Sequence, residues 1–384
     1  MRRRLVLGLA CLVVAACALA GAPPEIEVQG LYEGPAGDSK IEARVVAQGK
    51  NVYRVYVLET LPSGKVAKTT LDGKFEGAAV TFAAKIEKTE WKASWANGVV
   101  KGTCSVPGGL EPKSFELKRS ERKSPTLGMK PPEGAIVLLH GEKLDEMARG
   151  GGQPWYVGDM TKDGWAVWEV PIRTIVAKNP KDWPSAEKAI PEGWELTKMR
   201  RRVDTVLGIG EDGSLQVPRG GMNSKRQFEG SFKLHVELRC PFRPDARSQG
   251  RGNSGCYLPN GQEIQVLDSF GMDTYKGGCA GGLYGFKNPD TMETFPATPG
   301  GKEITFTLAS LPPMQWQTYD IEYIVPMVGG KPKGKPRLTV LHNGIKIHDN
   351  VELNRDARKG GFHFQDHGNP VRYRNIWVLP LQAK

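Results

Sequence analysis

Gly230–Cys240 reads GSFKLHVELRC, and its side chains alternate without a break. Leu234, Val236 and Leu238 fall on one face, and His235, Glu237 and Arg239 on the other. A period of two marks a strand with one buried face, and it recurs along most of the chain. Arg44–Val46, Tyr53–Val57 and Val80–Phe82 are β-rich runs, separated by turn signals at Pro35–Asp38, Pro62–Gly64 and Asp72–Gly73. No helix of ordinary length is visible. The 384 residues include 47 Gly and 28 Pro, about a fifth of the chain, which is too turn-rich for a helical bundle. There is no Gly-X-Y period, and 39% hydrophobic residues suffice for a sizeable core. The expectation is a globular, all-β protein.

Its organisation reads from the punctuation. The first twenty residues, MRRRLVLGLACLVVAACALA, carry a basic start, an apolar run and small residues at the end, as a bacterial secretory signal does. The run is shorter than the ~20 residues that span a bilayer, and nothing later approaches that, so no transmembrane segment is expected. Two processing sites compete. Ala18-Leu19-Ala20 fits soluble export to the periplasm or beyond, and Val14-Ala15-Ala16-Cys17 resembles a lipobox that would anchor Cys17 to a membrane by a lipid. Residues 24–120 read as a small accessory β-sandwich or barrel, and 121–133 as a charged, Pro-containing linker. Residues 134–384 read as a larger antiparallel β-sandwich with one polar concave face.

Net charge is +11, or +8 without Arg2, Arg3 and Arg4. The basic runs Arg200–Arg202 and Lys331–Arg337 lack interleaved aromatics, so no nucleic-acid partner is expected. Four cysteines follow the export segment: Cys104, Cys240, Cys256 and Cys279. They have no zinc spacing, and they read either as buried thiols or as one disulfide, with Cys256–Cys279 the pair to test. No cofactor is evident, and a calcium ion in a loop would leave no signature. Trp155, Trp165, Trp168, Trp183 and Trp194 read either as a sugar cleft or as pins for long loops.

Three strands each present a polar face. In Gln262–Asp268, Glu263 and Gln265 lie opposite Ile264 and Val266, and a bulge would bring Asp268 to their side. In Asn253–Leu258, Asn253, Gly255 and Tyr257 share a face. In Gly361–His367, His363, Gln365 and His367 oppose Phe362 and Phe364. Asn, Gln, His and Tyr beside Gly suit a hydroxyl-rich ligand, which needs many donors, acceptors and an aromatic platform. Asn260-Gly261 and Asn343-Gly344 read as hairpin turns with both residues at positive φ. Gly361–Asp366 and Val371–Leu379 read as a closing pair of strands.

Five segments carry a resemblance: RGNSGCYLPNGQEIQVLDS (251–269), GGCAGGLYGFKNP (277–289), WQTYDIEY (316–323), LTVLHNGIKIHDNVEL (338–353) and FQDHGNPVRYRNIWVLPL (364–381). Together they resemble the 3-keto-disaccharide hydrolase domain family over residues 130–384. That family consists of exported bacterial proteins with a concanavalin A-like (laminin-G-like) antiparallel β-sandwich jelly roll. The chain departs from the pattern at Leu139–Met147 and is longer over 150–200.

The resemblance implies a sugar substrate oxidised at C3. A ketone at C3 acidifies the C2 hydrogen. A base removes it, the enolate expels the glycosidic oxygen at C1, and water adds back. On that reading Glu263 is the acid/base, Asp268 the alternative carboxylate, and His367 or Arg374 the oxyanion partner. Gln265 and Asn253 hold hydroxyls. Tyr257, Tyr284, Trp316 and Gln365 shape the pocket, with Glu237 a supporting acceptor. Glu263-x-Gln265-x-x-Asp268 is also similar in spacing to the carboxylate strand of laminarinase-type glucanases. The alternatives are a non-catalytic, lectin-like carbohydrate-binding module, or a cell-surface adhesion protein.

Overall fold

The computed structural model describes residues 23–76, 79–86, 89–105, 111–141, 146–149, 197–199, 202–205, 212–217, 220–329 and 331–382. The expected export segment, Cys17, the five tryptophans between 155 and 194, and Arg200–Arg201 lie outside the described residues.

A four-residue helix, α1 (Glu25–Val28), leads into eight strands: β1 (Gly30–Ala36), β2 (Ser39–Ala47), β3 (Val52–Thr60), β4 (Val66–Glu76), β5 (Ala79–Ile86), β6 (Thr89–Ala96), β7 (Val99–Ser105) and β8 (Lys113–Ser120). Each pairs antiparallel with the next, and β8 pairs back onto β1, so the sheet closes into a barrel. Closure resolves the sandwich-or-barrel choice and leaves no free edge. The alternation does the sorting. Along β2, Ile41, Ala43, Val45 and Ala47 enter the barrel core with Tyr53, Phe82, Trp91 and Leu117. Val46, on the opposite face of β2, packs outward with Leu31 and Tyr56 against Phe270, Phe295 and Phe306 of the second half.

The second half contributes β9 (Ile136–Leu139), β10 (Met147–Arg149), β11 (Thr197–Met199), β12 (Arg202–Thr205), β13 (Leu215–Gln216), β14 (Met222–Ser224), β15 (Phe232–Arg239), β16 (Ser254–Tyr257) and β17 (Glu263–Val266). It continues with β18 (Met292–Phe295), β19 (Ile304–Thr307), β20 (Gln317–Ile324), β21 (Met327–Val328), β22 (Lys331–Pro332), β23 (Arg337–His342), β24 (Ile345–Glu352), β25 (His363–Phe364) and β26 (Arg372–Pro380). Two sheets dominate. One has the order β10-β14-β25-β16-β17, and the other β13-β26-β15-β20-β23-β24 with β9 also on β26. Met222, Cys256, Ile264 and Phe364 of the first sheet pack into one core with Leu234, Val236, Ile321, Val340 and Val378 of the second. This is the expected antiparallel sandwich. Each large side chain fully buried there contributes roughly 1.5–3 kcal/mol.

Three local expectations change. The last two segments do not pair: β25 joins the five-stranded sheet, and β26 the other. Alternation assigns a strand its faces but says nothing of its partner. Asn343 (φ 53) and Gly344 (φ 79) form the expected turn, but at Asn260-Gly261 only Gly261 has positive φ (80). Pro259 precedes it, Gly261 N–H bonds Leu258 O at 2.8 Å, and the Asn260 carboxamide accepts from Gln262 N–H. Pro259 suits the second position of an ordinary turn, with glycine taking the left-handed position after it. Finally, all four described cysteines are free thiols. Cys256 points into the core, and the Cys279 thiol lies 3.7 Å from Met292 Sδ, so the Cys256–Cys279 bridge does not form.

Candidate functional site

The register of the five-stranded sheet assembles a row from four strands, two of them the hairpin β16–β17. Asn223 on β14 stands opposite His363 on β25. His363 stands opposite Tyr257 on β16, and Tyr257 opposite Glu263 on β17. Residues directly paired across antiparallel strands project to the same face, so the four side chains form one line. The neighbouring row, Met222, Phe364, Cys256 and Ile264, points into the core and is fully buried.

The row is connected. Tyr257 Oη–H donates to Glu263 Oε2 at 2.7 Å, and Gln365 Nε2–H donates to Tyr257 Oη at 3.2 Å. The His363 and Tyr257 rings lie 5.4 Å apart, and His363 Nδ1 is 2.7 Å from Asn223 Oδ1. Two glycines leave the floor bare. A Cβ on Gly255 would lie 2.2 Å from Glu263 Oε1, and one on Gly221 would lie 2.6 Å from His363 Cε1.

Glu263 is 7% exposed. Burial raises its pKa, the Tyr257 hydroxyl pulls it partly back, and no cation pairs with the carboxyl among the described residues. Burial, and then the adjacent carboxylate, push Tyr257 up, so its hydroxyl stays a donor. Burial lowers His363, which favours the neutral ring. A carboxyl tuned upward and an imidazole tuned downward, on one row with Tyr257 between them, can give up and take up protons.

Around this row, Gln249 is a hub that the sequence reading did not single out. Its Oε1 accepts from Gln265 Nε2 at 2.7 Å and from Asn253 Nδ2 at 2.9 Å, while its Nε2 donates to Gly278 O. Both ends of the Gln265 amide are therefore held, since its Oε1 also accepts from Val266 N–H. Tyr284 N–H bonds Glu263 O, and the Tyr284 and Tyr275 hydroxyls are 2.7 Å apart on exposed rings, forming an aromatic rim.

The structure thus brings together Glu263, Tyr257, Gln265, Asn253, Gln365 and Tyr284. It places Asp268, Glu237, Arg374 and Trp316 elsewhere. Asp268 is fully buried in a pair with Arg251 (2.7 Å), whose guanidinium also reaches Ala47 O and Gln29 of the barrel half. No bulge returns Asp268 to the polar face, because Arg251 holds it at the joint between the halves. His367 is exposed in the turn after β25. Glu237, Arg374 and Trp316 lie with the other sheet. Glu237 accepts from Arg374 Nε at 2.7 Å, from Asn375 Nδ2 and from Gly128 N–H. Arg374 stacks over Trp316 at 4.2 Å. On β15, His235 and Glu237 lie on the face away from the core, where residues 124–129 cover them through Gly128 N–H on Glu237 and Thr126 on Asp320, so their alternation looked like that of a ligand-binding face.

His363, Asn223, Gln249 and Tyr275 were missed as site residues. The polar face of Gly361–His367 was the available signal for His363. Asn223 and Gln249 sit in segments with no alternation to read.

The profile of the 3-keto-alpha-glucoside-1,2-lyase-like domain matches residues 177–379. No curated protein matches the sequence. A candidate glycosyl hydrolase from Parabacteroides distasonis is 23% identical with a TM-score of 0.40, covering 65% of this chain and 85% of its own. A xylan beta-1,4-xylosidase from Bacillus halodurans is 9% identical with a TM-score of 0.22, over 91% of this chain and 87% of its own. A GH43 protein from Bacillus licheniformis, BlXynB, is 7% identical with a TM-score of 0.24, over 92% and 98%. Likenesses this distant transfer neither a site nor a substrate.

Proposed function

The chain belongs to the 3-keto-alpha-glucoside-1,2-lyase-like domain family, a carbohydrate-active, glycosidase-related group, and we propose that it cleaves glycosides oxidised at C3 by eliminating across C1 and C2. The observation that carries this reading is the buried Glu263 carboxyl, bonded by Tyr257 and, among the described residues, paired with no cation. Ordinary glycosidases place two carboxyl groups across the scissile bond. Among the described residues, the row offers one carboxyl, a tyrosine, a neutral histidine and several amides, which suits proton transfer at a carbon made acidic by a ketone.

Each neighbour has a part. Glu263 transfers a proton at the reacting sugar. Tyr257 holds its Oε2, so the free oxygen over Gly255 faces the ligand. Gln365 orients Tyr257. Gln249 locks Gln265 and Asn253 into a fixed amide wall that orients hydroxyl groups. Tyr284 and Tyr275 provide a platform for the group beyond the scissile bond. The bonds from Tyr257 to Glu263, from Gln365 to Tyr257, and from Gln265 and Asn253 to Gln249 keep these positions before substrate arrives, which is what proximity catalysis requires. The basic, apolar first twenty residues support a place outside the cytoplasm.

The test is a panel of 3-keto-glucosides beside their unoxidised parents, following release of the aglycone. Release is expected from the keto forms alone and lost in Glu263→Gln. Release from neither, with saturable glycan binding, would replace the enzyme with a lectin.

A further inference from the structure

Elimination needs two proton transfers, one from C2 and one to the departing oxygen, and a single carboxyl does not supply both at once. We infer that His363 is the second catalytic residue, the base that takes the C2 proton, while Glu263 is the acid that protonates the leaving oxygen. The inference rests on the elimination reading above.

Asn223 sets the imidazole for that task. Its carbonyl oxygen, 2.7 Å from Nδ1, can only accept, so the ring proton resides on Nδ1 and Nε2 carries the lone pair. Nε2 has no hydrogen-bond partner among the described residues, although the ring is half-buried between Asn223 and Tyr257. Gly221 keeps it clear, because a Cβ there would lie 3.3 Å from Nε2. Burial disfavours the imidazolium, which keeps the lone pair available at neutral pH.

The spacing fits. Glu263 and His363 lie two strand steps apart on one row, with Tyr257 between them. Two steps are roughly 10 Å between backbones. Each group reaches about 3 Å to the proton that it moves. What remains is room for C2 and the glycosidic oxygen, the two atoms on either side of C1, that exchange those protons. His363 Nε2 takes the C2 proton, and the C2–H pair forms the enolate with the C3 carbonyl. The enolate pair then closes the C1–C2 double bond as the C1–O bond breaks. The departing oxygen takes the Glu263 proton. The products are an unsaturated keto-sugar and an alcohol, and no other reactant is consumed.

Solvent exchange separates the two roles. A 3-keto-glucoside is incubated with each variant in D2O, and the C2 proton and the free alcohol are followed by NMR. Glu263→Gln is expected to exchange the C2 proton without releasing alcohol. His363→Gln is expected to slow both by at least about 100-fold. Asn223→Leu, which keeps the ring but frees its tautomer, is expected to slow exchange about tenfold and guards against misfolding of the His363 variant. Exchange lost in Glu263→Gln but retained in His363→Gln would overturn the assignment and make Glu263 the base. Exchange and release at the wild-type rate in His363→Gln would also overturn it. Wild-type protein that neither exchanges nor cleaves would instead remove the reading on which the inference stands.

Discussion

The Glu263 carboxyl lies directly over Gly255, so that a Cβ built there would come 2.2 Å from Oε1. Gly255 does not need its flexibility, since its backbone is ordinary strand. It is glycine because the carboxyl occupies the space a side chain would fill. Gly255→Ala should therefore displace Glu263 while sparing the fold. Displacements of about 1 Å cost on the order of 100-fold in rate. That loss is expected in kcat/KM on a 3-keto-glucoside, with far-UV circular dichroism unchanged. Wild-type turnover in Gly255→Ala would separate Glu263 from the chemistry.

The same burial makes a prediction about stability. Burial raises the folded-state pKa of Glu263 above its unfolded value. Between those two values the folded state holds more proton, so stability falls as pH rises through the window and then levels off. Glu263→Gln removes that loss. At pH 7–8 its melting temperature should exceed that of wild type by about 1–3 °C, with the difference shrinking below pH 4.5. Equal melting curves across pH would mean that the carboxylate is better solvated than its surroundings suggest.

Asp268 gives the opposite test. It is fully buried against Arg251 and holds the barrel half to the sandwich. Asp268→Asn strands the guanidinium and should destabilise by about 3–5 kcal/mol. Below the lowered melting temperature, turnover per folded molecule should stay within about threefold of wild type. A variant with normal stability and no turnover would return Asp268 to the reaction.

These cases show how far the sequence reading reached. The alternation assigned Glu263, Gln265, Tyr257 and Gln365 to polar faces, and the structure joins them. The same alternation assigned Glu237 to a polar face with equal justice, yet that face belongs to the other sheet and is covered by residues 124–129. Period two identifies which side of a strand a residue takes, not which sheet the strand enters. In the row Asn223–His363–Tyr257–Glu263, the Tyr257–Glu263 pair follows from the hairpin, but His363 comes from a strand more than a hundred residues away in sequence, so only register reveals its place. Asp268 escaped for a related reason, because its partner Arg251 sits before β16 in a loop without pattern.

Residues 124–129 are themselves held by titrating groups. Burial alone would raise Glu237, but His235, Asn375, Arg374 and the Gly128 N–H hold it down at about 2. Its contribution is present above the ordinary carboxylate range and is lost as pH falls from about 4.5 towards about 2. Burial alone would lower His235, but the Asp320 and Glu237 side chains outweigh it and raise its pKa. Its contribution is full below the model-peptide value of 6.5 and is lost as pH rises through the folded value. Hydrogen exchange at the Gly128 amide, corrected for its intrinsic pH dependence, should therefore be slowest between about pH 4.5 and 6.5. Glu237→Gln should abolish the acid side of that profile. Protection independent of pH would detach this segment from the Glu237–His235 pair.

The central claim is the elimination itself, and the identity of the first product tests it most directly. A 3-keto-α-glucoside and its unoxidised parent are each mixed with the protein, and the carbohydrate products are followed by NMR from the earliest turnover. The account predicts a C1–C2 unsaturated keto-sugar and one equivalent of free alcohol from the keto form, nothing from the parent, and neither product with Glu263→Gln. Cleavage of the parent at a comparable rate, or release from the keto form with no unsaturated sugar at any time, would contradict it.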